Sequence, residues 1–262
     1  MNKYKIIIGI ILSLILYACQ DYDSVYTDTI IIGEEKYDGT LLKYLSDEAD
    51  NALKHKFDSM LVIIDANPEL KEKLANENEF YTIYALPNEC FELSFKELNM
   101  YRTQKKLGKN ISFSDLLINP FSVDDTTFVN IGNKVDTLIE TRHYDYKSQV
   151  DTLMFRYIFE GEYTTEIIQK SEWNNITANS YKYKYSMNME CFFQNASGVA
   201  GGGIRKFVFS DMVNTQLKDK WKSTEVVHPD IHTQNGIIHI LPKYHSFSYD
   251  NFISYFKNRG NE

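Results

Sequence analysis

Four histidines crowd the last part of the chain: His228, His232, His239 and His245. Imidazole is the commonest transition-metal ligand, so the cluster raises the question of a metal site. Its spacing argues against one. No pair stands at the His-x-x-x-His interval that sets two rings on one helix face beside a carboxylate. His239 lies inside the apolar run Ile237, Ile238, Ile240, Leu241, a buried strand by pattern, and is expected to be a satisfied structural residue. His232 falls in the polar approach to that strand. The expectation is no metal and no cofactor.

The glycine run Gly198-Val199-Ala200-Gly201-Gly202-Gly203 could cradle a phosphate only if a helix followed and turned its N-terminal amides on the anion. Ile204-Arg205-Lys206-Phe207-Val208-Phe209 follows instead, which is β-like, so a flexible loop suited to binding is expected. There is no Gly-x-Ser-x-Gly elbow and no His-Glu-x-x-His pair. No nucleophile comes with a plausible base, and the chain is expected not to be an enzyme.

The composition is that of an ordinary globular protein: 262 residues, 43% hydrophobic and 24% charged. A net charge of −8 disfavours nucleic acid, which needs a concentrated basic surface. The N-terminus carries an address. Asn2-Lys3-Tyr4-Lys5 is a short basic region and Ile6–Leu16 an apolar run too short to span a bilayer as a helix, so residues 1–18 read as a signal peptide. Leu16-Tyr17-Ala18-Cys19 resembles the lipobox of bacterial lipoproteins, in which the cysteine is acylated after cleavage; Tyr17 is bulkier than the usual small residue. Gln20-Asp21-Tyr22-Asp23 resembles the acidic surface-export signal of Bacteroidetes lipoproteins. That resemblance implies an outer-membrane protein, lipid-anchored at Cys19 and facing outward, with residues 19–36 as its tether. An oxidising compartment would let Cys90 and Cys191 pair, and buried free thiols are equally common.

Apolar spacing predicts helices over Leu41, Leu42, Leu45, Ala49, Ala52 and Leu53, then over Phe57, Met60, Leu61 and Ile64. A third is predicted over Glu69–Ala75, with Asn67 as its cap and Pro68 in its first position. Phe80–Leu86 reads as a strand stopped by Pro87, with Asn88 capping the helix through Phe91, Phe95 and Leu98. Phe128–Ile131 and Lys134–Thr141 read as a hairpin, as do Cys191–Phe193 and Lys206–Phe209 around the glycine run. Tyr181-Lys182-Tyr183-Lys184-Tyr185 alternates as a strand with one aromatic and one cationic face. Asn235-Gly236 reads as a tight turn, because both residues tolerate positive φ.

Thr82–Phe91, Thr-Ile-Tyr-Ala-Leu-Pro-Asn-Glu-Cys-Phe, resembles the first signature of fasciclin-type domains, with Leu86-Pro87 in place of Pro-Thr. Asp230-Ile231, three residues, then Asn235-Gly236-Ile237-Ile238-His239-Ile240-Leu241 resembles the second, with Pro242 where an aspartate usually follows. The resemblance implies an α+β, fasciclin-like fold: N-terminal helices packed on a β-sandwich or wedge. It makes Thr82, Asn88, Phe91, Asp230, Asn235, Gly236 and His239 structural motif residues. Tyr157 stands where the family carries the histidine of a Tyr-His pair, in a region linked to integrin adhesion in animal members, so that activity does not carry over. The domain would span residues 37–250, longer than a common domain of about 130–150 residues. The surplus falls in insertions near 100–150 and 171–222, and residues 251–262 form a C-terminal tail.

Asp followed by Ser or Thr and then a third small or aliphatic residue recurs around Ser24, Thr29, Ser59, Thr126, Thr137 and Thr152, where composition predicts about one such triplet. The pattern resembles the O-glycosylation signal of Bacteroidetes envelope proteins. Taken together, the residues point to a surface-exposed outer-membrane lipoprotein with a non-catalytic binding role, in adhesion or as an accessory to nutrient uptake. Its ligand is expected to be a protein or a glycan, and Tyr181, Tyr183, Tyr185 and Trp173 are the candidates for an aromatic platform. The competing class is an envelope polysaccharide hydrolase, whose two carboxylates, roughly 5–10 Å apart, need no local motif.

Overall fold

The computed structural model describes residues 35–47, 55–131 and 134–259, so Cys19, Ser24, Thr29 and residues 48–54 of the first predicted helix lie outside the described residues. The described chain is a mixture of helices and sheets. Its helical start is locally encoded. α1 (Leu41–Ser46) is capped by Thr40, whose hydroxyl accepts from the Lys43 amide, and buries Leu41, Tyr44 and Leu45. α2 (Asp58–Asp65) buries Met60, Ile63 and Ile64. α3 (Pro68–Ala75) has Pro68 in its first turn and Asn67 accepting from the Leu70 amide at 3.2 Å, as the sequence predicts.

α4 (Asn88–Lys105) departs from the expected capping. Pro87 is its cap residue, and the Asn88 side chain turns to α2, accepting from the Ser59 amide at 3.0 Å and donating to Asp58 at 2.7 Å. α2 has no capping side chain of its own at Phe57. Asn88 therefore satisfies an amide of the neighbouring helix rather than one of its own. The far end of α4 closes on Lys106 at φ 58, and Arg102 donates to the carbonyls of Leu107, Lys109 and Lys257.

A five-stranded mixed sheet runs in the order β1 (Glu35–Lys36), β10 (His228–Thr233), β11 (Gly236–Ile240), β2 (Tyr81–Ala85), β5 (Ile158–Glu160). The two signature stretches meet in it: β2 and β11 are parallel neighbours, with Thr82 opposite Ile237 and Tyr84 opposite His239. Both strands are buried throughout, which explains their continuous apolar character. A second sheet is an antiparallel meander of β6 (Asn175–Asn179), β7 (Ser186–Phe193), β8 (Arg205–Asp211) and β9 (Lys222–Glu225). The chain passes directly from one sheet to the other: the Val226 amide donates to Phe207 and the Val227 amide to Ile240. Tyr84 of β2 stacks on Phe209 of β8 at 3.8 Å between ring centroids.

The third sheet is a ribbon of two strands, β3 (Phe121–Ile131) and β4 (Lys134–Tyr144), paired at every position from Phe121–Tyr144 to Ile131–Lys134. It extends the predicted hairpin at both base ends. Around its base lie α5 (Phe113–Leu116) and α6 (Tyr146–Met154), and α7 (Thr165–Lys170) precedes β6. Residues 251–256, assigned by sequence to a tail, form α8 (Asn251–Phe256), because Phe252 and Phe256, one helical turn apart, are buried in the core.

Tyr181–Tyr185 is not a strand but the turn between β6 and β7, with Lys184 at φ 55. Period-two alternation suits a turn as well as a strand when no partner is known. The expected tight turn forms, with Gln234 and Asn235 between the paired Thr233 and Gly236, but not through positive φ. Neither Asn235 nor Gly236 has positive φ, and the glycine is required by close approach instead: a Cβ there would lie 2.1 Å from the Tyr81 carbonyl oxygen.

Candidate interaction surfaces and the buried motif residues

Apart from Asn88, which is half-buried, the motif residues are buried. His239 accepts the Asp230 amide on Nδ1 at 3.1 Å, and its Nε2 lies 2.8 Å from the Tyr163 carbonyl oxygen. Nδ1 acting as acceptor puts the proton on Nε2 and leaves no ring nitrogen for a metal. Asp230 sits at a register shift in β10 with φ 59, and its carboxylate accepts the amide and hydroxyl of Thr165 at the start of α7. The Thr82 hydroxyl donates to Gly161 and accepts from Tyr163. Asn235 accepts the Leu41 amide at 2.7 Å and donates to the carbonyls of Leu74 and Asn76. Phe91 packs against Phe247 at 4.7 Å. Tyr157 is also buried, between the Ser248 amide at 2.7 Å and His245 Nε2 at 2.9 Å. Cys90 and Cys191 are free and buried, and burial pushes the Cys191 thiol up to about 11.

The other histidines have separate surroundings. His228 Nε2 stands 3.1 Å from Glu35 Oε2, in contact but outside hydrogen-bond geometry. His232 belongs to β10 itself rather than to a loop before it. Burial, reinforced by His55 and His239, pushes His228 down to about 4, and burial pushes His245 down to about 3. Both rings stay neutral in the fold, whereas the unfolded chain takes up these protons near pH 6.5. Their stabilisation is complete above that pH and is lost as pH falls through 6.5 toward 4. Glu35, pushed up by burial, opposes this at the acid end. Urea unfolding at pH 7 and pH 4.5 should differ by about 3 kcal/mol or more. A flat profile across that window would contradict the assignment.

The residues of the expected aromatic platform divide between packed and exposed positions. Tyr181 is half-buried against Tyr81 at 5.5 Å and Phe155 at 5.8 Å. Tyr185 is half-buried with its ring 4.0 Å from the Arg156 guanidinium. Each of these two rings thereby packs against the protein. Only Tyr183 and Trp173 are exposed, Trp173 at 80% in a 3-10 turn at φ 62. Among the glycosylation triplets, Thr126 and Thr137 are exposed on the ribbon. Thr152 is half-buried and its hydroxyl donates to Ser148 inside α6.

Two surface grooves stand beside α4. One, about 520 Å³, is lined by Lys96, Asn99, Met100, Thr103, Gln104 and Asn110. The other, about 380 Å³, has one carboxylate, Asp115, engaged by Ser112. Neither groove brings two carboxylates together.

Protein-family models give no match to this chain, and neither do curated proteins. Among solved structures, it is similar to a FAS1 domain pair from the insect cell adhesion molecule fasciclin I. The identity is 12% and the TM-score 0.43, with 78% of this chain and 49% of that one covered. The chain spans about half the length of that protein pair.

What stands free of the body is the β3–β4 ribbon. Leu138 and Ile139 are 58% and 61% exposed, Glu140–His143 are exposed too, and an Arg142–Asp125 ion pair crosses the strands at 2.9 Å. The ribbon's base is packed, where the rings of Phe121, Tyr144 and Tyr146 meet at 5.3–6.3 Å between centroids. The second exposed feature is the β7–β8 tip, with Phe193, Val199 and Ile204 turned outward. Both hairpins follow from the sequence pattern, and the exposure of these side chains does not. The adjacent Leu138-Ile139 pair, breaking the polar alternation of β4, was the available signal.

Proposed function

We propose that this chain is a surface-exposed outer-membrane lipoprotein, anchored through Cys19, whose domain binds a partner without catalysing a reaction. The domain reading is fasciclin-like, spanning residues 37–250, with N-terminal helices against a β-wedge. It is supported by the parallel pairing of the two signature strands and by Asn235, which ties α1 and α3 to them.

The binding reading rests on the ribbon. A two-stranded antiparallel hairpin has two open edges and is marginal in water by itself. Here its upper part carries apolar residues that the body leaves uncovered, a geometry suited to strand addition by a protein ligand. The work would be adhesion or service to a nutrient-uptake complex. Shortening the ribbon by joining Ser122 to His143 through an Asn-Gly turn keeps its packed base. The shortened protein should melt within a few degrees of the parent yet recover no partner in a pull-down from intact cells. Retention of the partner at full yield would refute the ribbon as binding site. A recovered transporter would favour uptake, and a surface protein would favour adhesion.

A further inference from the structure

The β7–β8 tip differs from the ribbon in chemistry. Its shape is set by its own backbone: the Gln194 amide donates to Ile204 at 2.9 Å, the Gly203 amide to Gln194 at 2.7 Å, and Ala196 and Val199 exchange bonds at 3.0 and 2.9 Å. The Asn195 side chain accepts the Gly201 amide at 2.9 Å. A Cβ on Gly203 would meet the Gln194 carbonyl oxygen at 2.7 Å, so the close approach needs glycine there. On this self-bonded frame Phe193, Val199 and Ile204 are 44%, 59% and 59% exposed.

Between Glu190 and Asp211 there is no carboxylate, while Arg205 and Lys206 stand directly behind the tip, in a chain of net charge −8. Lys206 pairs with Glu225 at 2.7 Å and Arg205 is half-buried at the strand end. A tip that turns three apolar side chains outward, carries no carboxylate and has the Arg205 guanidinium behind it matches a lipid surface, where acyl chains lie beneath anionic headgroups. A protein pocket would call for directional polar groups, and here the amides of Gln194, Ala196, Val199, Gly201 and Gly203 are turned on the tip itself.

We infer that the Phe193–Ile204 tip inserts into an anionic lipid surface and sets the orientation of the domain. The inference rests on the anchored reading. From Cys19 to Glu35 a tether reaches on the order of 55 Å at most, longer than the roughly 45 Å expected across a domain of this size. The anchor alone therefore leaves the orientation open, and the tip would fix it.

The test uses the full chain, isolated with its anchor and reconstituted into vesicles of phosphatidylcholine and phosphatidylglycerol. Single cysteines at V199C and L138C carry an environment-sensitive fluorophore; Cys90 and Cys191 are buried and stay unlabelled in the folded protein. Quenching by spin-labelled lipid should be at least fivefold stronger at position 199 than at 138. It should be lost when I204D is added, with the melting temperature unchanged. Equal quenching at both positions would overturn the inference. So would burial of position 199 only when a protein partner is added. The anchor is judged separately: Cys19→Ala should move the protein out of the membrane fraction, whatever the tip does.

Discussion

Gly236→Ala is expected to cost more than about 3 kcal/mol, a large part of the stability of a domain of this size. The added methyl would lie 2.1 Å from the Tyr81 carbonyl oxygen and 2.7 Å from Leu41 Cδ1. The first contact is with backbone, so it is relieved only by moving β11 away from β2. That movement breaks the bond from the Tyr81 amide to the Asn235 carbonyl and the parallel register behind it. The second contact is with a side chain and can be removed on its own. Gly236→Ala with Leu41→Ala should therefore be no more stable than Gly236→Ala by itself, measured by urea unfolding. Rescue by the second change would show that packing against α1, rather than the strand pair, excludes a side chain there.

Arg156→Met should cost about 3–5 kcal/mol, the range for breaking a buried ion pair from one side. Arg156 and Asp211 are 7% and 3% exposed and pair directly, and the Tyr185 ring covers the guanidinium. Without the arginine, Asp211 keeps, among the described residues, the Val213 amide at 2.8 Å and the Asn251 side chain at 3.4 Å, and its charge stays buried. Arg156→Met with Asp211→Leu should recover much of the loss, because two apolar side chains leave no buried charge behind. A single variant costing under about 1 kcal/mol would mean that water reaches Asp211.

These two sites mark where local pattern stops being informative. Gly236 looked like a residue needed for its φ, since Asn-Gly commonly makes a turn with positive φ. Its actual constraint is a carbonyl contributed by a strand from the other end of the chain. Arg156 and Asp211 lie 55 positions apart and carry no mutual spacing signal. Asn88 was legible as a cap, but which helix it caps depends on how α2 and α4 pack. Tyr181–Tyr185 shows the opposite limit: a regular pattern that folds as a turn.

The sequence by itself determined what short-range chemistry controls. Asn67-Pro68 starts α3, because one side chain accepts an amide and one ring fixes φ. The apolar runs at Tyr81–Ala85 and Gly236–Ile240 become buried strands, since they present no polar face to water. The two hairpins form where turn residues separate β-branched or aromatic runs. Only the tertiary structure decided which of these surfaces stay uncovered. Burial depends on what else the fold brings near, so Tyr181 and Tyr185 became packing while Leu138, Ile139, Val199 and Ile204 were left to solvent. Likewise His239 could be read as structural from its strand. Its proton and its partners, the Asp230 amide and the Tyr163 carbonyl, were fixed only when separate segments closed around the ring.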